Sequence, residues 1–408
     1  MGSDEFAEQA RMSPNAFVRE RKLPLPRLVA FLLNAPRAGL QAELDAFFDH
    51  ALGSGEARPV SKSALCQARR QLRPDALRDL LVHSAQLFAA HSPVPTWHGR
   101  RVLALDGSTL RVPDGPECAE AFGGMNTASG RFRPLARASA LFDVARGAFV
   151  DAALGGFAAD ERSLARGHLP HLEPQDLLLM DRGYPSREWF HELNALGVAF
   201  CARISERTWT AVGHFARGRR SDAVADLGTA ATPLSLRLLR VKRPNGSRLV
   251  LVTNLFDEAL SAEAFADLYR ARWRIEEAFK LIKARLQVEN WSGILPHTVT
   301  QDFYASLLRA NCAAVLALAA RPEDAAVSAN TGLDAKGWRV RLNRTLALKS
   351  LRHYLPRLLL ALDLAAVLDR LVERLRSPTA VERTRPDRSA PRRKGVRIAD
   401  FHYAYKTA

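Results

Sequence analysis

Four short apolar runs constrain the fold of this chain more than any other feature. They are RVLALDGSTLRVP from residue 101, ASALFDVARGAFVDAALG, DLLLMDRGY and VAFCARI. Each is rich in leucine, aromatic or β-branched residues and is bounded by Gly, Pro or Asp, the punctuation of strands. The first two follow one another in hairpin-like succession. The later two alternate with helical segments, ERSLARGHLPHL before DLLLMD and SREWFHELNALG after it. Strands in succession, then in alternation with helices, predict a mixed α/β sheet with helices on its faces.

The flanks have other periods. Residues 1–97 read as helical: LPRLVAFLLN and LQAELDAFFDHAL repeat apolar residues at helical spacing, and PVSKSALCQARRQL follows. Ser61 or Ser63 can cap this last helix, whose exposed side is expected to carry Lys62, Arg69 and Arg70. Two readings stay open here, a helix-turn-helix type DNA-binding unit and a small helical bundle with a solvated face. Residues 98–204 hold the strands described above. Residues 205–258 read as a β-rich insertion, with LSLRLLRVK and SRLVLVTNL joined by the turn RPNGS. Helical runs return over 259–320 and 321–375, and 376–408 reads as a basic tail containing RTRPDRSAPRRKG.

Charge narrows the function. Lys+Arg 59 against Asp+Glu 43 gives a net +16 and a pI near 10.3. Most of the excess is arginine, which suits bidentate contact with phosphate. A polyanionic partner follows, nucleic acid ahead of a membrane surface; an arginine-rich, GC-biased genome is the other explanation of the same composition. Cys66, Cys118, Cys201 and Cys312 are scattered with no CxxC pair, which weighs against structural zinc or a disulfide framework. The N-terminal stretch has no apolar segment of signal-peptide length. The strongest apolar run, around 312–320, is too short to cross a bilayer. A reducing intracellular compartment is expected.

Asp106 follows the apolar run RVLAL and precedes Gly-Ser, near the end or middle of a strand; Asp181 follows LLLM and precedes Arg-Gly-Tyr, at a strand's carboxyl end. An aspartate at a strand end can simply form a turn. Two of them at the ends of neighbouring buried strands repel one another, and a divalent cation such as magnesium relieves that repulsion. Asp143 and Asp151 are rivals, but no Gly-containing turn follows either.

YRARWRIEEAFKLIKARL, residues 269–286, supplies a third carboxylate. At about 100° per residue along one helix, Tyr269, Arg272, Glu276 and Lys283 share an arc of roughly 60° beside the apolar stripe. Glu277 points away at about +80°. The geometry selects Glu276 over Glu277.

DGSTL around Asp106, DRGYPS around Asp181 and the spacing Tyr269-x2-Arg272-x3-Glu276-x6-Lys283 together resemble the IS4-type DDE transposases of bacterial insertion sequences, whose YREK signature has that spacing. RWRIE and LVTNL add to the likeness, which spans roughly residues 20–310. It implies an RNase H-like catalytic core, with 205–258 as the insertion before the glutamate helix and helical regions at both termini. It implies Asp106, Asp181 and Glu276 as catalytic residues holding two Mg²⁺, for which Mn²⁺ can substitute. Tyr269, Arg272 and Lys283 would contact DNA, with Arg182, Trp273, Lys62, Arg69 and Arg70 as further contacts. The implied partners are double-stranded DNA, as terminal inverted repeats and as target, and a second copy of the chain in a homodimer, with no membrane. The implied location is the cytoplasm, on the nucleoid. Relatives that form DNA hairpins stack a flipped base on a tryptophan in the strand before LVTNL. GSRLVLVTNL has none, and Trp209 lies elsewhere in the insertion. A DNA-binding protein without strand transfer and a metal-dependent nuclease are the alternatives.

Overall fold

The computed structural model describes residues 3–19, 22–34, 39–52, 60–242, 247–320, 339–342, 344–360, 364–377 and 380–384. The RPNGS turn and the expected basic tail lie almost entirely outside the described residues. Helices α1 (Asp4–Ala10), α2 (Leu25–Leu33), α3 (Leu40–Leu52), α4 (Lys62–Gln71) and α5 (Ala76–His91) come first. Then follow β1 (Arg101–Arg111), α6 (Pro116–Phe122), β2 (Gly124–Asn126), β3 (Phe132–Asp143), β4 (Ala148–Gly156) and α7 (Glu161–Arg166). Next are β5 (Asp176–Met180), α8 (Arg187–Ala195), β6 (Ala199–Ile204), α9 (Thr210–Arg217), β7 (Asp222–Asp226), β8 (Ser235–Lys242) and β9 (Arg248–Thr253). The order closes with α10 (Ala262–Arg270), α11 (Trp273–Ala284), α12 (Pro296–Ala319), β10 (Arg339–Leu342), α13 (Arg344–Leu359), α14 (Leu364–Arg376) and β11 (Val381–Thr384).

The chain divides into two units, residues 1–80 with 282–408, and residues 81–281. The second unit is built on one sheet of order β4-β3-β1-β5-β6-β9-β8-β7, with β2 pairing the start of β3. β1, β5 and β6 run parallel, and β3 is antiparallel to both β1 and β4. That order and those directions make β4-β3-β1-β5-β6 an RNase H-like core. β5 lies inside it, between β1 and β6, and its run LLLM is apolar on both faces; all five residues of the strand are buried. Leu103, Leu105, Leu178 and Met180 pack with Trp189 and Phe190 of α8 and Ala165 of α7 on one side of the sheet. Phe142 and Phe149 meet on the other side, where Phe149 reaches Phe279 of α11.

The stretch 205–258 is β-rich, but its strands form no separate sheet. β9 pairs antiparallel with β6, and β8 and β7 add beyond it, so the segment extends the central sheet. It also contains the helix α9. The continuity follows from LVLV in β9, whose buried residues complete the face begun by β6.

In the first unit, α1 to α4 are grouped with the C-terminal helices, and α5 continues into the second unit. α2 is buried along most of its length, and α12 packs against it and against α13. Ser61 caps α4, its Oγ accepting from Ala64 N at 3.2 Å. The expectation of no apolar run long enough for a bilayer needs one amendment. Counting from 312 missed the start of α12, a 24-residue helix that reaches that length and apolarity; most of its apolar window is buried, as in a core helix.

Candidate active site where two parallel strands part

The β1–β5 register ends at Leu105 opposite Met180. Asp106 and Asp181 are the next residue on each chain, so they lie side by side where the β1–β5 pairing ends: Asp181 just past the carboxyl end of β5, and Asp106 within β1, which runs on to Arg111 paired with β3 alone. β5 ends at Met180 and the chain turns, Tyr184 N bonding Asp181 O at 3.2 Å. Asp106 Oδ1 accepts from its neighbour Gly107 N at 3.0 Å.

The glutamate helix arrives differently from the expected single helix over 269–286. α10 stops at Arg270 and α11 starts at Trp273. Across the join, Ala271, Arg272, Arg274 and Ile275 each donate to the carbonyl three residues back, at 2.9 to 3.2 Å. Such tightened turns advance faster than an α-helix, so the uniform 100° wheel does not apply through Arg272. The side chains that it grouped on one arc reach two different aspartates. Tyr269 Oη donates to Asp181 Oδ1 at 3.1 Å. Arg272 binds Glu276 Oε1 through Nη2 at 2.6 Å and lies 3.5 Å from Asp106 Oδ2 through Nη1. Glu277 is exposed. α11 is held to the β3–β4 hairpin by Arg274 Nη1, which donates to Val144 O at 2.7 Å, and by the contact of Phe279 with Phe149. Upstream, the buried Arg237 binds Asp222 and the carbonyls of Asp257 and Leu260, which secures the entry to α10.

Electrostatics set the protonation states. Burial pushes the Asp106 carboxyl up to about 6, against the opposing pull of Arg272 and the Gly107 N–H. Burial, and then the charge of Asp181, raise the Tyr269 hydroxyl, so it remains a donor. Burial opposes the Arg272 charge, but Tyr269, Glu276, Asp181 and Asp106 outweigh it and the guanidinium stays cationic. The same guanidinium lies over the rings of Tyr269 and Trp273, 5.7 and 5.8 Å from their centroids. Its Nε is buried without a hydrogen-bond acceptor.

Other predicted residues fall in several places. Trp273 is exposed beside Arg272, and Arg182 is exposed on the turn after Asp181. Lys283 lies in the last turn of α11. Lys62 and Arg70 are exposed on α4. Arg69 was expected on that exposed side, and the structure corrects this. It is 2% exposed, and its guanidinium donates to Gln301 Oε1, Ser292 Oγ, Thr298 O and Asp302 Oδ1. A group consumed by buried partners in this way is not available to DNA. The rivals Asp143 and Asp151 are likewise committed to the fold: Asp143 binds Arg146, and Asp151 binds His168 at 2.7 Å. Two residues near the aspartates were not anticipated. Arg203 of β6 lies 3.9 Å from Asp181, and Glu161 of α7 reaches Tyr184. Arg203 carries a faint signal, being the charged residue in the apolar strand AFCARI.

Three carboxylates are hard oxygen donors, the set that magnesium takes. Among the described residues, no three acidic, His or Cys side chains converge closely enough to hold an ion as they stand. Between Asp106 and Glu276 lies the Arg272 guanidinium, so that gap already accommodates positive charge. Donor chemistry and the raised Asp106 both fit a divalent cation.

Residues 97–312 match the model of the family described as "Transposase DDE domain". The transposase InsG for insertion sequence element IS4 of Escherichia coli (strain K12) is 27% identical over 314 residues, 72% of this chain and 70% of that protein. The transposase for insertion sequence element IS421 of Escherichia coli is 39% identical over 62 residues, 15% of this chain and 17% of its own. Among solved structures, the piggyBac transposase synaptic complex with hairpin DNA aligns with 92% of this chain and 77% of its own, at a TM-score of 0.43 and 11% identity.

Proposed function

Since the chain belongs to the DDE transposases, in their IS4-type branch, we propose that it binds the ends of an insertion sequence, cleaves them by Mg²⁺-dependent hydrolysis and joins the resulting 3′-OH ends to target DNA. One observation carries this reading. Side chains from the Tyr269–Glu276 segment reach both aspartates, Tyr269 on Asp181 and Arg272 on Asp106, and Arg272 in turn holds Glu276.

Phosphodiester attack needs a positioned nucleophile, in-line geometry and neutralisation of charge in the transition state. Asp106, Asp181 and Glu276 would hold the divalent cations, which supply an activated attacking oxygen and stabilise the leaving oxygen. The residues around them orient the DNA. Arg272, held by Glu276 beside Asp106, would place positive charge next to a phosphate oxygen at the scissile bond if the Glu276 and Asp106 contacts open as the cations enter. Tyr269, kept protonated, can donate a hydrogen bond to DNA if its contact with Asp181 opens. Lys283, Arg182 and the exposed Trp273 would extend the grip, and Lys62 and Arg70 would add phosphate contacts from α4. The protein would act on the nucleoid as a homodimer, each copy cutting the end that its partner holds.

The test uses duplexes that carry the DNA flanking the coding sequence, one set cut in advance and one left uncut, with Mg²⁺ and a supercoiled target plasmid. Joined products are expected. Cutting of uncut ends without joining would make the protein a nuclease, and binding alone would make it a DNA-binding protein; either outcome refutes the proposal.

A further inference from the structure

Asp106 and Asp181 need a fixed separation, and one side chain from outside the predicted set bears on the segments that follow both. β1 passes from Asp106 to Gly107, while β5 gives way to Asp181-Arg182-Gly183-Tyr184. Glu161, the first residue of α7, lies against both segments. A Cβ on Gly107 would overlap Glu161 Oε1, and a Cβ on Gly183 would stand 3.5 Å from its Oε2. Tyr184, 1% exposed, donates its hydroxyl to Glu161 Oε1 at 3.1 Å. The next residue, Arg162, donates from Nε to Gly183 O at 3.2 Å. The first turn of α7 therefore grips the loop after Asp181 while its carboxylate rests over the residue after Asp106.

α7 is itself tied down at both ends. Asp160 caps it, accepting from Ser163 N at 3.1 Å. Just past its C-terminus, His168 is buried between Ser139 Oγ at 3.0 Å and Asp151 Oδ2 at 2.7 Å. Ser139 stands opposite Gly107 in the β1–β3 register, so this lock holds the segment to the same stretch of sheet that carries Asp106. A carboxylate braced in this way is a spacer on a rigid mount.

We propose that Glu161 is a positioning residue of the active site, setting the separation of Asp106 and Asp181 by bearing on Gly107 and accepting the Tyr184 hydroxyl. This rests on the reading of the aspartates as cation ligands. Its role is one of length and hydrogen-bond acceptance, so Gln, which keeps Oε1, replaces it and Ala does not. Small errors in ligand placement propagate strongly to affinity; loss of an orienting partner typically costs about 10–100-fold in metal binding.

The experiment titrates the full-length protein with Mn²⁺ alone, followed by paramagnetic resonance. Thermal unfolding and binding to the flanking-DNA duplex are measured on the same samples. E161A is expected to weaken Mn²⁺ binding about tenfold or more while unfolding temperature and DNA affinity hold; E161Q stays close to wild type. Y184F, which removes the hydroxyl and little else, is expected to weaken Mn²⁺ in the same direction, and it serves as the deciding variant should E161A fail to fold. Mn²⁺ binding by E161A or Y184F equal to wild type overturns the proposal, as does E161Q falling as far as E161A. If wild type itself takes up no Mn²⁺, the transposase reading falls and this one with it; if wild type binds and the variants match it, only the positioning role is lost.

Discussion

Asp106 shows what one largely buried carboxylate costs in stability. Its carboxyl is 19% exposed and raised to about 6 by burial. Because the folded-state value lies above the unfolded one, the folded protein holds more protons between about pH 4 and 6, so stability falls as pH rises through that window. Above it the full penalty stands, roughly 1–3 kcal/mol for a shift of about two units. Asp106→Asn is therefore expected to raise stability at pH 7.5 in chelator, by denaturant unfolding, with the gain shrinking toward pH 4.5. Equal or lower stability at pH 7.5 would contradict the burial argument. What sequence shows of the aspartates is that each follows an apolar run; the structure adds that Asp181 opens a turn while Gly107 after Asp106 continues β1. Glu161 was not legible from sequence, because an acidic residue in a first helical turn looks like an ordinary dipole-favoured one.

At the scale of elements, spacing conveyed the strands and the glutamate helix but not the bend at Ala271–Arg272. A wheel assumes one period, and here the backbone tightens to bonds three residues apart. Past the bend, Arg272 and Glu276 still pair at four-residue spacing. Arg69 was misread for a different reason. Local sequence cannot reveal that its partners, Ser292, Thr298, Gln301 and Asp302, arrive from more than two hundred residues away. Its removal strands the carboxylate of Asp302, so Arg69→Met is expected to cost about 3–5 kcal/mol in chemical denaturation. Lys62→Ala and Arg70→Ala, on the same helix but exposed, should change stability by no more than ~0.5 kcal/mol. A small loss for Arg69→Met would mean that the buried network does not hold α4 in place. The strands of 205–258 were likewise visible as strands, while their union with the central sheet depends on a pairing of β6 with β9 that no local pattern encodes.

For the whole molecule, the net charge of +16 makes attraction to DNA strong and sequence-independent, and hence steeply salt-dependent. Binding alone therefore says little about the site; what distinguishes a transposase from a basic protein is cleavage that depends on particular carboxylates. The most direct measurement follows cleavage, at one fixed salt concentration, of linear DNA carrying the segments that flank the coding sequence, with and without Mg²⁺. Wild type and Glu277→Gln are expected to cut at the element ends only with Mg²⁺. Glu276→Gln is expected to bind the same DNA and leave it intact. Full cleavage by Glu276→Gln, or its loss in Glu277→Gln, would contradict the account.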